Sequence, residues 1–182
     1  MVTAGTKPEP VPRDEELTVA YESFENFYQR EFRDVVGLAY ALSGSRFGAE
    51  DLAQEAFIKA HERWDRISGY DKPGAWVRRV VANLAVSRFR RRSAEKKALS
   101  RLAGERQQGI SDLEPEDEEF WQMVRDLPKR QAQATALFYV EDRSVADIAE
   151  ILECSPSTAK VHLFRARQAL ATKLGLEVGH ES

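Results

Sequence analysis

Apolar residues recur at helical spacing along nearly the whole chain, and this periodicity limits the fold more than any other feature. The alternation typical of a half-buried strand does not persist in any segment. Helices are expected near residues 19–43, 49–66 and 74–92, and a second helical block is expected from Pro115. The segment 98–114 loses the periodicity and contains two glycines and two glutamines, which is a linker composition. The sequence therefore predicts an all-α protein of two small helical domains joined by a flexible linker.

The first domain is predicted to span residues 19–97 and the second residues 115–176. Residues 1–18, rich in proline and acidic side chains, are predicted to form a disordered leader, and residues 177–182 a tail. No apolar run approaches the roughly 18 residues needed to cross a bilayer, so no membrane insertion is expected. The single cysteine, Cys154, excludes an internal disulfide framework and favours a cytoplasmic location.

The net charge of −3 conceals a strong separation of charge along the chain. Between residues 72 and 101 there are ten lysines and arginines but a single acid, Glu95. Between residues 111 and 124 the balance inverts, with six acids and no base. A basic block inside an acidic protein predicts a local contact with a polyanion, although a solvated helix end would have the same composition.

Two helices joined by a short turn are predicted near the C-terminus, as in a helix-turn-helix. Ser144 and Ser155 stand where helix caps are expected, and Pro156 follows in the first helical position. At 100° per residue, the inward positions of the second helix are Ala159, Leu163, Ala166 and Leu170. The opposite face carries Ser157, Val161, Phe164 and Gln168, flanked by Lys160 and Arg165. Cations beside apolar groups suit the major groove of DNA, and an ordinary helical hairpin is the alternative.

The basic block lies on the helix predicted at 74–92 and on the loop before it. The inward stripe of this helix is Trp76, Val77, Val80 and Leu84. One flank carries Arg79, Asn83, Val86 and Arg90. Tyr70 lies in the preceding loop, whereas Trp64 and Trp76 are expected in the core. Cations, an aromatic ring and a side-chain amide together provide what single-stranded nucleic acid needs, namely phosphate neutralisation and base stacking.

The helix predicted at 49–66 presents an acidic face that includes one apolar residue. Its core stripe is Ala53, Ala56, Phe57, Ala60 and Trp64. The opposite face carries Asp51, Gln54, Glu55, Ile58 and Glu62. Acids around an exposed isoleucine predict a docking surface for a basic helical partner, although a single exposed isoleucine is also common on ordinary surfaces.

Several strings resemble bacterial RNA polymerase sigma factors of the extracytoplasmic-function (ECF) class, in the order in which that family has them. Residues 50–57, EDLAQEAF, resemble sigma region 2.2. The residues that resemble regions 2.3 and 2.4 are Trp76, Val77, Arg79, Asn83, Arg88, Arg90 and Arg91. Those that resemble region 4 lie at 126–130, 148–150, 155–158 and 165–170. The similarity covers about residues 20–97 and 118–175 and implies a region 2 helical bundle and a region 4 helix-turn-helix.

The resemblance also implies a role for each exposed face. Polymerase binding is implied for Asp51, Gln54, Glu55, Ile58 and Glu62. Binding of the −10 promoter element is implied for Tyr70, Asp71, Lys72, Arg79, Asn83 and Arg90. Binding of the −35 element is implied for Ser157, Thr158, Lys160, Val161, Phe164, Arg165 and Gln168. The implied partners are RNA polymerase core, through its β′ clamp helices and β flap, promoter DNA, and an anti-sigma factor or other regulatory partner.

Three other functions compete with this interpretation, of which a purely structural adaptor is disfavoured by the basic recognition face. A stand-alone helix-turn-helix regulator that binds duplex DNA explains the C-terminal motif but leaves the acidic face and the basic block without a purpose. A metal-dependent nuclease using Glu50, Asp51 and Glu55 is disfavoured because the three histidines are scattered and no metal-ligand spacing occurs. No catalytic residue, metal, cofactor or small-molecule substrate is therefore expected.

Overall fold

The computed structural model describes residues 22–103 and 115–175, and within them it contains only helices. Their bounds are α1 Phe24–Ser43, α2 Arg46–His61, α3 Trp64–Ile67, α4 Pro73–Ala103, α5 Pro115–Arg125, α6 Lys129–Tyr139, α7 Val145–Leu152 and α8 Pro156–Lys173. The predicted all-α class is confirmed. The predicted leader, the predicted tail and residues 104–114 of the predicted linker lie outside the described residues.

The first domain is built from α1, α2 and α4, which pack on one another around a shared core. The Ser23 hydroxyl caps α1 by accepting a hydrogen bond from the Asn26 amide at 3.3 Å. Gly44 ends the same helix in the left-handed conformation, at φ 68°. Fully buried residues from the three helices form the core: Phe27, Val35, Leu38, Leu42, Leu52, Ala56, Phe57, Val77, Val81 and Ala85.

The predicted helix 49–66 is wrong in its bounds, because the structure divides it into α2 and α3. α2 begins earlier, at Arg46, because the Ser45 hydroxyl caps it by accepting from the Gly48 amide at 3.2 Å. It ends at His61, and α3 starts after Arg63, whose φ of −125° interrupts the helix. The break turns Trp64 onto Phe27, with the ring centroids 4.7 Å apart. Trp64 thus packs against the core as expected, but from a separate helical turn.

α4 is longer than the sequence pattern predicted. The helix was expected to end near Arg92 and the linker to begin at residue 98, yet α4 continues to Ala103. Residues 93–103 contain no glycine or proline and are mostly alanine, lysine, leucine and arginine, which favour helix. Residues 94–101 are exposed, which explains the error, because a solvated helix needs no apolar stripe.

The second domain consists of α5 to α8 and contains the predicted helix-turn-helix as α7 and α8. The Ser144 hydroxyl accepts from the Asp147 amide and the Ser155 hydroxyl from the Thr158 amide, each at 3.1 Å. Both predicted caps are therefore confirmed, and Pro156 opens α8. The four predicted inward residues of α8 are buried: Ala159, Leu163, Ala166 and Leu170.

The two domains also contact each other, which the sequence did not predict. α4 packs against α1 and α2 within its own domain and against α6 and α7 of the second, while α1 contacts α5 and α6. Val86, which the sequence places on one flank of the helix with Arg79 and Asn83, is buried at 3% exposed. The helical wheel assumed one buried side, whereas α4 is covered on two.

Candidate nucleic-acid and docking interfaces

The predicted docking residues lie together on α2, and we call Asp51, Gln54, Glu55, Ile58 and Glu62 the α2 face. Ile58 is 60% exposed, although it is a large apolar residue. Glu55 is half-buried and forms an ion pair with Lys59 at 2.6 Å, one turn further along the helix. The other three members of the face are exposed. The structure therefore keeps the carboxylates and the isoleucine accessible on one surface.

An apolar depression of about 290 Å³ adjoins the α2 face. Phe24 and Tyr28 from α1 form its wall together with Phe57 and Ile58 from α2. The two α1 aromatics were not predicted to lie beside Ile58, because they are 30 or more positions away in the chain. The signal that could have found them is the run of four aromatics at helical spacing in this segment: Phe24, Phe27, Tyr28 and Phe32.

No candidate metal centre exists among the described residues, where no three His, Cys, Asp or Glu side chains are placed to hold an ion. Glu50, Asp51 and Glu55, the carboxylates weighed for a nuclease, belong to the surface of α2. None of the helices within residues 22–103 and 115–175 combines the length and the apolar character that a membrane span requires.

The predicted recognition residues form one surface on α8, and we call Ser157, Thr158, Lys160, Val161, Phe164, Arg165 and Gln168 the α8 face. Phe164 is 59% exposed and Val161 43%, and only Gln168 is half-buried. In the described part of the chain neither Lys160 nor Arg165 forms an ion pair. The Thr158 hydroxyl lies 2.8 Å from the Ser155 cap oxygen, which fixes the first turn of the helix. Both cations of the face therefore remain available to an external anion.

Two cations of α6 were not among the predicted contact residues: Arg130 lies near His162 of α8, and Lys129 lies near Arg90 of α4. Lys129 and Arg130 stand in the first turn of α6, where a cation is unfavourable for the helix dipole. Burial, followed by the charges of Arg130 and Arg165, lowers the pKa of His162. Burial, followed by the charges of Arg130 and Arg90, lowers the pKa of Lys129. Cations in an unfavourable helix position are the sequence signal that could have singled out Lys129 and Arg130.

The predicted −10 residues lie on α4 and its preceding loop, and we call Tyr70, Asp71, Lys72, Arg79, Asn83 and Arg90 the α4 face. Tyr70 is 37% exposed, and Asp71 and Arg90 are also accessible. The other three members contact the second domain. The structure therefore leaves only part of this set free of contacts with the second domain.

Lys72 is the clearest of these contacts. Its ammonium lies 2.8 Å from carboxylate oxygens of both Asp147 and Glu150 on α7. The hydrogen bond from Lys72, aided by the Ser144 hydroxyl, lowers the pKa of Asp147 to about 2. Asp147 raises the pKa of Lys72 in turn, with Glu150 adding to the effect. The pair is therefore fully charged at neutral pH.

The models of two protein families match this chain, one in each domain. Sigma-70 region 2 matches residues 27–95 and Sigma-70 region 4 matches residues 117–170. The ECF RNA polymerase sigma factor SigW of Bacillus subtilis is 30% identical over 151 residues, covering 75% of this chain and 81% of SigW. The chain belongs to the ECF sigma factors. The sigma-E factor of Escherichia coli, also ECF, is 30% identical over 161 residues, covering 81% of this sigma factor and 82% of that one.

A solved structure supports the fold of this sigma factor. The sigma factor RpoE from Bartonella quintana, solved in complex with the anti-sigma factor NepR, superposes with a TM-score of 0.64. The two chains are 23% identical, and the match covers 85% of this chain and 98% of RpoE. At that identity the likeness concerns the fold alone.

The family resemblance seen in the sequence is confirmed. As an ECF sigma factor, the protein binds RNA polymerase core and promoter DNA and directs promoter-specific transcription initiation. This function is favoured over a stand-alone helix-turn-helix regulator, because the region 2 match accounts for the first domain as well as the second.

Proposed function

We propose that the α2 face is the polymerase-binding surface, with Asp51 and Glu55 pairing with basic residues of the β′ clamp helices. Ile58 and the depression beside it supply an apolar contact that desolvates those ion pairs. The observation that carries this proposal is the 60% exposure of Ile58 between carboxylates on a rigid helix. Gln54 and Glu62 border the same surface and complete the polar rim.

The α8 face is the proposed surface that recognises the −35 element. Lys160 and Arg165 donate to phosphates or guanine edges, while Val161 and Phe164 contact thymine methyl groups. Ser157, Thr158 and Gln168 complete the polar contacts. Lys129 and Arg130 extend the cationic surface toward the DNA backbone, where they contribute affinity rather than sequence preference. The second domain also provides the proposed contact with the β flap.

The α4 face is the proposed surface that recognises the −10 element. The loop with Tyr70 and Asp71 holds a base flipped from the non-template strand, and stacking on the ring contributes roughly 1–3 kcal/mol. Lys72, Arg79 and Arg90 neutralise phosphates of the same strand, and the Asn83 amide contacts the upstream part of the element.

Two further proposals follow from the family. A regulatory partner such as an anti-sigma factor binds this sigma factor, by analogy with the RpoE complex with NepR. The site of action is the cytoplasm, where the polymerase is, and the protein has no catalytic activity of its own.

Run-off transcription on genomic fragments with core polymerase tests the assignments. Asp51→Ala combined with Glu55→Ala should weaken core binding, whereas Arg165→Ala should leave core binding intact and lower promoter-specific transcription. The matched controls are Asp117→Ala with Glu119→Ala, exposed acids of α5, and Lys173→Ala, an exposed cation of α8. Unchanged core affinity in the α2 variant would remove the polymerase assignment, and tight specific DNA binding without polymerase would favour the stand-alone regulator.

A further inference from the structure

The second domain covers the α4 face within the same molecule. Lys72 is paired with Asp147 and Glu150, and Arg79 forms an ion pair with Glu153. These three acids recur every third residue along α7 and its following turn, so they lie in one row. Carboxylates thus contact the same cations that would neutralise DNA phosphates.

Asn83 of the α4 face is also in contact with the second domain, through a hydrogen bond. Its side-chain oxygen accepts a hydrogen bond from the Gln133 side chain of α6 at 3.0 Å. Gln133 is fully buried, so the contact is part of the packed boundary between the domains. The side-chain amide proposed to contact the −10 element is therefore engaged by the protein itself.

A buried arginine anchors this closed arrangement from the first domain. Arg78 is 2% exposed and lies between Glu31 of α1, at 2.6 Å, and Glu141 before α7, at 2.5 Å. A Cβ atom at Gly74 would lie 2.7 Å from an Arg78 nitrogen, so this glycine leaves the space that the guanidinium fills. Burying a charge is costly unless it is paired, and Arg78 has partners from both domains.

A second buried arginine anchors the arrangement from the other side. Arg125 of α5 donates to the Ala41 carbonyl in the last turn of α1 at 3.1 Å, where the helix dipole favours a cation. A Cβ at Gly44 would lie 3.0 Å from the Arg125 guanidinium carbon. Each domain therefore contributes one buried guanidinium, and each fits against a glycine of the first domain.

We propose that this sigma factor is autoinhibited: the acidic row of Asp147, Glu150 and Glu153 occupies the α4 face and excludes single-stranded promoter DNA until the domains separate. The proposal rests on the −10 role of the α4 face given above. The α2 face remains exposed in the closed form, so polymerase can bind there first. Separation of the domains on the polymerase then exposes the α4 face.

The first experiment removes the acidic row. The triple variant Asp147→Asn, Glu150→Gln, Glu153→Gln should bind a labelled mixed-sequence DNA single strand of about 20 nucleotides roughly tenfold more tightly than wild type, without polymerase. Its radius of gyration in solution scattering should increase. The control Asp117→Asn, Glu119→Gln, Asp126→Asn changes the net charge equally on exposed positions of the second domain. Equal gains in both variants with unchanged scattering would overturn the proposal.

The second experiment locks the domains together without altering either DNA-binding face. A Cβ at Gly37 would lie 3.8 Å from a Val140 methyl, so Gly37→Cys with Val140→Cys can form a disulfide across the boundary in a Cys154→Ala background. The oxidised protein should bind core polymerase yet start no transcripts, and dithiothreitol should restore initiation. Equal initiation by the oxidised and reduced forms would refute autoinhibition.

A double variant on the α4 face distinguishes a failure of the autoinhibition proposal from a failure of the proposed −10 role. Lys72→Ala with Arg79→Ala should lower promoter opening with polymerase present. If that variant opens promoters normally, the −10 role of the α4 face is wrong. If it is impaired while the oxidised lock still transcribes, only the autoinhibition is wrong.

Discussion

The α8 face and the α4 face carry similar side chains, but the molecule presents them differently. On α8, Lys160 and Arg165 face solvent, and Phe164 beside them is 59% exposed. On the α4 face, Lys72 and Arg79 are paired with carboxylates of the second domain. α8 is packed on one side only, whereas α4 has neighbours on two. The comparison shows that the tertiary neighbours of a cationic helix, and not its composition, decide whether it is open to DNA.

The largest expected effect comes from breaking the buried contact beside the α4 face. Arg78→Ala should lower the free energy of unfolding by about 3–5 kcal/mol, because it leaves the 3%-exposed Glu141 side chain without its main partner. Urea denaturation followed by circular dichroism measures the change. Arg91→Ala, an exposed cation on the same helix, is the control and should cost less than about 0.5 kcal/mol. Similar losses in both variants would contradict a buried anchor.

The next effect separates the two faces by function. Arg165→Ala should lower run-off transcription by roughly 5- to 150-fold, because a specific side-chain contact with a base is worth about 1–3 kcal/mol. Its free energy of unfolding should not change, since Arg165 is exposed. If the variant loses both free energy of unfolding and run-off transcription, α8 depends on this side chain for packing.

A smaller effect is expected on the α4 face. Arg79→Ala should reduce the open-complex signal in permanganate footprinting by about threefold, while −35 protection in the closed complex stays unchanged, because phosphate contacts add affinity without sequence preference. Ser87→Ala, an exposed position of the same helix, serves as the control. Loss of −35 protection in the Arg79 variant would show that the two faces do not act separately.

The smallest effect is a pH dependence on the α8 side of the molecule. Burial and the neighbouring arginines keep the pKa of His162 below its usual value, so the unfolded chain takes up a proton first as the pH falls. Stability from this residue is therefore present above about pH 6.5 and decreases below it. The melting temperature of wild type should fall slightly more between pH 7.5 and 5 than that of His162→Gln. An identical fall would show that His162 does not contribute.

Much of the α8 face was predictable, because it depends on local order. Ser155 and Pro156 set the start of the helix, and four small or apolar residues at helical spacing set its buried side. The predictions were wrong where long-range contacts intervened. Val86 was grouped with the polar flank of its helix although it is buried. The predicted helix 49–66 ran through Trp64 because its apolar spacing does not reveal the break at Arg63.

The sequence alone determined the helical class, the family, the caps of α7 and α8, and which side chains each face carries, because helix periodicity and capping act within a few residues. Only the tertiary structure decided that α6 and α7 cover the α4 face while the α2 and α8 faces stay open. The contacts responsible join residues 50 to more than 80 positions apart, such as Asn83 with Gln133 and Arg125 with Ala41. Burial and ion pairing at that separation depend on how the domains pack, and no local sequence pattern predicts that packing.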